Sequence, residues 1–132
     1  MKNKGISFKR LVKSFGYALH GIRLMVSNEQ NAKIHLFAMV IVVVAGYYFH
    51  LSTTEWIVIV IVSGGVFAAE AFNTSIEALS DTIAHEYNKN IKQVKDFAAG
   101  AVLVASITAI IVGLIVFLPK ILALFQIGRA HV

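Results

Sequence analysis

Three stretches of apolar sequence decide most of what this chain can become. Ile34–Leu51 runs 18 residues without an Asp, Glu, Lys or Arg, and Ala98–Leu118 runs 21. Between them, Trp56–Phe72 is apolar apart from Glu70 near its end. At the helical rise, 18 residues reach about 27 Å, close to the thickness of a bilayer's hydrocarbon core. The rest of the composition agrees. Hydrophobic residues make up 58% and charged residues 14%, with a mean hydropathy of +0.75. Soluble domains average about 45–50% and about 25%, so a soluble globular enzyme is the losing hypothesis. A single proline argues against an all-β chain, and the absence of cysteine excludes disulfides, Cys-ligated metals and thiol catalysis.

The segment ahead of these stretches is basic and amphipathic. At about 100° per residue, Phe8, Leu11, Phe15, Leu19, Ile22 and Met25 share one arc, joined by Val12, Ala18 and Val26. Lys9, Lys13, His20 and Arg23 oppose them, with Arg10 at the flank. Such a helix lies in a membrane interface with its cations toward anionic headgroups; the alternative is a soluble packing face. The fold class expected is therefore all-α and membrane-integral. One domain covers residues 1–120, with a surface helix at 6–28 and transmembrane helices at 34–51, 56–72 and 98–118. Pro119 is expected to stop the last helix, and residues 121–132 form a tail whose end, Gly128 to Val132, fits no element. The helix carrying 56–72 is expected to continue past the membrane and turn around Asn88–Asn90.

Charge sets the orientation. The net charge is +5, with seven Lys and Arg in residues 1–33 and none in the 52–55 loop. Positive loops stay cytoplasmic, which places the N-terminus and the 82–97 connection there. Lys120 and Arg129 then fall on the less favoured side. The excess is read as facing lipid headgroups, with no nucleic-acid partner expected. Ala101, Ala105, Ala109 and Gly113 repeat every fourth residue, spacing that lets membrane helices approach closely. An oligomer, or close packing inside one subunit, satisfies that pattern.

The chemistry concentrates between Glu70 and Asp81. With Glu70 at zero, Asn73 falls near about −60°, Glu77 near −20° and Asp81 near +20° on a helix. Carboxylates at a membrane boundary are costly and are functional candidates by default. Asp81 suits an ordinary solvated face; Glu70, flanked by apolar residues, does not. Acids grouped this closely raise one another's proton affinity, as a general base requires, and they can hold a hard cation. Magnesium takes one or two carboxylates plus phosphate oxygens, so Glu77 and one more acid suffice. Glu29, at the junction of the surface helix and the first span, is the second acid that topology offers. Lys95 and Asp96 stand at the mouth of the third span, where a lysine can take phosphate charge. The five histidines show no ligand spacing, and no P-loop, Gly-x-Gly-x-x-Gly or Gly-x-Ser-x-Gly motif occurs. These residues alone suit phosphate chemistry on a lipid headgroup, or an ion- or proton-coupled small transporter using Glu70.

The motifs also resemble a known family, the small bacterial membrane-integral diacylglycerol kinases and their undecaprenol kinase relatives. Its signature is similar to Glu70-x-x-Asn73-Thr74-Ser75-Ile76-Glu77-x-x-x-Asp81, with Ser75 where alanine is common. Lys95-Asp96-Phe-Ala-Ala-Gly-Ala-Val-Leu resembles a second block, and Asn28-Glu29-Gln30-Asn31 with Ile34-His35-Leu36 a third. The resemblance implies transfer of the γ-phosphoryl of ATP, with Mg2+, to the hydroxyl of a membrane lipid alcohol. It implies a homotrimeric helical bundle in the bacterial cytoplasmic (inner) membrane, with sites shared between subunits on the cytoplasmic face. Glu70 would be the general base, supported by Asn73. Glu29 and Glu77 would hold the Mg2+ that bridges the ATP phosphates. Lys95 and Asp96 would contact the nucleotide, with Arg10, Tyr17 and Glu86 as further neighbours. The acceptor is undecaprenol or diacylglycerol, and the matching blocks lean toward the polyprenol. A silent membrane adaptor is the third reading, disfavoured by the full polar set.

Overall fold

The computed structural model describes residues 5–130; Lys2 and Lys4 of the basic N-terminus, and His131 and Val132 of the tail, lie outside them. Four helices make up the chain: α1 (Phe8–Asn28), α2 (Gln30–Tyr48), α3 (Thr53–Ile83) and α4 (Lys89–Ala130). Three of them, α2, α3 and α4, are long and apolar enough to cross a membrane. The chain is thus an all-α, multi-pass membrane protein with one additional N-terminal helix.

Each junction follows from local chemistry. Glu29 alone separates α1 from α2, with extended dihedrals (φ −98°, ψ 121°). Its N–H donates to the Met25 carbonyl at 2.9 Å and its carbonyl accepts from Lys33 at 3.2 Å, so one residue ends one helix and starts the next. Its carboxylate caps neither helix and is left for other work. Ser52 and Glu55 form a capping box at the start of α3: the Ser52 hydroxyl accepts from the Glu55 N–H at 3.2 Å, and the Ser52 N–H donates to Glu55 Oε1 at 3.0 Å. Asn88 starts α4 through Oδ1, which accepts from the N–H groups of Asn90 and Ile91 at 2.9 and 3.2 Å. The turn, residues 84–88, lies slightly ahead of the expected Asn88–Asn90, ending at Asn88 with Asn90 already in α4.

The hairpins pack most tightly at the end carrying the 52–55 loop. Leu51, Ile59 and Val116 are buried there, with Val42, Trp56, Val112 and Phe117 against them. Trp56 reaches over Gly46, where an added Cβ would lie 2.5 Å from Trp56 Cη2 and 3.1 Å from Leu51 Cδ1. Gly46→Ala is therefore expected to cost about 1–3 kcal/mol by overpacking, read as a lower unfolding midpoint in detergent. An unchanged midpoint would mean that the indole moves aside freely. At the same end Lys120 Nζ lies 3.0 Å from Glu55 Oε2. The bonds from the Ser52 N–H and Lys120 hold the Glu55 carboxyl below its ordinary range. Lys120, at odds with the charge rule by sequence, is answered by a partner acid.

One expectation needs revision. Pro119 does not stop the last helix: α4 continues through it to Ala130, a length of 42 residues, so the tail expected at 121–132 is helical over its described part. Proline forfeits one backbone hydrogen bond, and α4 tolerates that loss and runs on. The helix carrying the second span runs from Thr53 to Ile83, continuing past residue 72 as expected. The apolar stripe of α1 stays uncovered, with Phe8 and Phe15 exposed and Met25 its one buried residue among those described. Its C-terminal part meets α3, where Ile22 and Met25 line a cleft with Ala71 and Thr74.

Candidate active site

The inward face of α3 carries the site. Glu70 is 1% exposed and Asn73 5%, although both are polar and lie at the end of an apolar helix. Val66, Glu70 and Asn73 follow the spacing of one helix face, so the packing that buries Val66 carries the carboxylate in with it. Asn73 Nδ2 donates to Glu77 Oε1 at 3.3 Å, which ties the amide to the next acid along the face. Three oxygens here are buried without a hydrogen-bond partner: Glu70 Oε2, Asn73 Oδ1 and Thr74 Oγ1. Such groups are expensive to leave unmatched, and three together mark a place where something polar is meant to bind.

Glu29 comes to the same place from α1 and α2. It lines a 410 Å³ cleft with Met25 and Asn28 on one side and Ala71, Thr74 and Ala78 of α3 on the other. The carboxylates of Glu29 and Glu77 both lie within electrostatic reach of Glu70. Among the described residues, no group of three or more His, Cys, Asp or Glu forms a closed metal cage. The donors that are present suit magnesium all the same. It keeps waters and completes its sphere with phosphate oxygens, needing only one or two carboxylates, and Glu29 and Glu77 are the two offered.

Further along α3, at its C-terminal end and the start of α4, Glu86, Lys95 and Asp96 line a second cleft of 350 Å³ together with Asp81, Tyr87 and Lys92. Lys95 Nζ donates to Asp81 Oδ1 at 2.8 Å, and Lys92 Nζ to Asp96 Oδ2 at 2.6 Å. The hydrogen bond to Asp81 holds the Lys95 ammonium above its ordinary range, so it carries full charge at neutral pH, as phosphate contact needs. Both ion pairs are exposed, and incoming phosphates can displace the acids at little cost. Arg10 and Tyr17 are not brought into either cleft; both sit exposed on α1.

Two neighbours of these residues escape a reading by motif. His35, one of the histidines without ligand spacing, lies with Nε2 3.9 Å from Glu70 Oε2. Asp81, read as an ordinary solvated acid, is the partner of Lys95. A signal for both exists in the hairpin register. His35 and Glu70 stand at equal chain distance from the Ser52–Thr53 junction, and Asp81 and Lys95 at equal distance from Asn88. Antiparallel helices joined by short loops bring such positions to one level.

The chain matches the family described as "Prokaryotic diacylglycerol kinase" over residues 16–117. It is 39% identical over 112 residues to the undecaprenol kinase of Bacillus subtilis (strain 168), covering 85% of this chain and 91% of the relative. It is 38% identical over 115 residues to the diacylglycerol kinase of Synechocystis sp., covering 86% of this chain and 66% of that protein. The diacylglycerol kinase of Escherichia coli (strain K12) is 30% identical over 111 residues, which cover 84% of this chain and 91% of the relative. Arg10 lies ahead of the matched residues, whereas the acids of α3 and the Lys95-Asp96 pair fall within them. With the family match covering most of the chain and the acids of α3 and the Lys95-Asp96 pair inside it, the chain belongs to the prokaryotic diacylglycerol kinase family and is a membrane lipid kinase.

Proposed function

We propose that this kinase moves the γ-phosphoryl of ATP, with Mg2+, to the primary hydroxyl of a polyprenol at the cytoplasmic face of a bacterial inner membrane. One observation carries the reading: a fully buried Glu70 whose Oε2 has no partner, at the membrane edge and a turn from the Asn73–Glu77 hydrogen bond. In this mechanism Glu70 takes the proton of the acceptor hydroxyl. The freed oxygen bonds to the γ-phosphorus as the bond from that phosphorus to the bridging oxygen breaks, leaving lipid phosphate and ADP. Glu29 and Glu77 would hold the Mg2+, which neutralises phosphate charge. Lys95, released from Asp81, meets the nucleotide, with Asp96 and Glu86 beside it. Asn73 holds Glu77 in place and offers its unmatched carbonyl oxygen to the site. Positioning and charge neutralisation of this kind do most of the work in phosphoryl transfer.

A homotrimer with shared sites belongs to the same proposal. Small residues on α3 and α4 and the long uncovered faces of α4 leave room for neighbouring copies. Arg10 and Tyr17, remote from both clefts in one subunit, would reach nucleotide only across such an assembly. The polyprenol choice draws support from the undecaprenol kinase relative, and diacylglycerol is the competing acceptor. A transporter would also exploit a buried Glu70, but family membership sets that reading aside.

Purified protein in detergent, given γ-labelled ATP and magnesium, is expected to label undecaprenol in preference to diacylglycerol in parallel tubes. Preference for diacylglycerol would reverse the acceptor assignment. Label in neither lipid, from correctly assembled protein, would overturn the proposed reaction and call for proton-flux measurements around Glu70.

A further inference from the structure

Each transfer to a lipid hydroxyl loads one proton onto Glu70, and that proton has to leave before the next acceptor can be deprotonated. Glu70 has no exit of its own. Its side chain is 2% exposed, and Oε2 is buried without a hydrogen-bond partner. The titratable groups acting on it are His35 from α2, Glu77 from α3 and Glu29 from the α1–α2 junction. α4 brings Ser106 to this level, at the same chain distance from Asn88 as Glu70, and a hydroxyl is no base at neutral pH. Asn73 and Thr74, the next polar residues along α3, are no more basic. Glu29 and Glu77 are the carboxylates assigned above to Mg2+, and a carboxylate beside a cation is a poor proton acceptor. His35 remains.

The imidazole of His35 lies between the buried acid and its surroundings. Nε2 is 3.9 Å from Glu70 Oε2, and the His35 side chain is 21% exposed. That gap is too long for a hydrogen bond, as follows when a ring-nitrogen lone pair faces a carboxylate oxygen, since both accept and neither donates. A proton on Oε2 makes them donor and acceptor, and a small rotation of either side chain closes the gap. Histidine is also the side chain that both takes and gives up protons near neutral pH. We infer that His35 is the proton outlet of the site, taking from Glu70 the proton that Glu70 has taken from the acceptor hydroxyl. The inference rests on the lipid-kinase reading, with Glu70 as base, and deepens it. The Oε2–H bond of protonated Glu70 breaks as an Nε2–H bond forms, which restores the carboxylate and leaves an imidazolium. The imidazolium gives one proton to water and returns to the neutral ring. One proton thus leaves for each lipid phosphate formed, and His35 acts through Glu70 alone.

The test compares wild type, His35→Gln and Glu70→Gln by rapid quench, with γ-labelled ATP, Mg2+ and undecaprenol in detergent. His35→Gln keeps a polar side chain but has no ring nitrogen to take the proton. Its first turnover is expected at the wild-type rate, because Glu70 starts as a carboxylate. Later turnovers are expected to slow about 10²-fold, the lower end of what a positioned proton acceptor contributes. The size of the first burst reports the folded sites, so a folding defect does not imitate this split. Added imidazole is expected to restore later turnovers in His35→Ala, where truncation opens the 320 Å³ cleft that His35 lines to a small ring. Equal loss of first and later turnovers in His35→Gln overturns the inference, since the ring would then only hold the site in shape. Full steady-state turnover in that variant overturns it too, as does a slow His35→Ala that imidazole leaves unchanged. A first turnover that survives in Glu70→Gln, or no transfer by wild type, strikes the base itself, and the outlet falls with it.

Discussion

Glu70→Gln is expected to lower phosphoryl transfer by about 10²–10⁴-fold, the usual contribution of a general base. The substitution keeps the volume of a side chain that is 1% exposed, so α3 should pack as before. It removes the one function the amide cannot perform, accepting the proton of the acceptor hydroxyl. ATP binding, which the proposal assigns to Glu29, Glu77 and residues of the 350 Å³ cleft further along α3 and not to Glu70, should stay near wild type. Label transfer at saturating lipid and ATP, with equilibrium nucleotide binding on the same preparation, separates these effects. Full turnover in the variant would mean that another group is the base. Loss of nucleotide binding would mean that Glu70 serves the other substrate.

The second large effect is expected at Glu77. Glu77→Gln retains an acceptor for Asn73 Nδ2, which lies 3.3 Å from Oε1, so the local hydrogen bond and the fold survive. What is lost is the negative charge beside the Glu29 and Thr74 wall. The magnesium concentration at half-maximal rate should rise at least about tenfold, the scale seen when groups supporting a bound metal are changed. Manganese binding to the nucleotide-loaded protein, followed by its resonance signal, should weaken in parallel and without turnover. An unchanged metal titration would remove Glu77 from the metal site and leave Glu29 as the remaining carboxylate. The contrast between the variants is the informative part, because Glu70→Gln should leave the metal titration in place.

Much of this was legible before any coordinates. The three apolar runs become α2, α3 and α4, since uninterrupted hydrocarbon side chains over this length leave the backbone few ways other than helix to satisfy itself. The asparagines at the second turn and the Ser52-Thr-Thr-Glu55 capping box set where two helices begin. The common face of Asn73 and Glu77 followed from helical period alone and is seen as a hydrogen bond. Pro119 misled, because a long helix can absorb the single backbone hydrogen bond that a proline forfeits. His35 and Asp81 were underrated because each looks ordinary on its own helix. Their significance lies in what a second helix brings opposite them.

The sequence by itself determined the solvent, the helices and the face on which the acids lie, because each depends on side-chain hydropathy and a fixed helical repeat. Tertiary structure decided the pairings between helices: His35 beside Glu70, Asp81 on Lys95, Glu55 on Lys120. It also decided which polar oxygens end buried without a partner, and where small residues on three helices leave a cleft instead of contact. These depend on register and rotation between helices, which short loops restrict and only packing fixes.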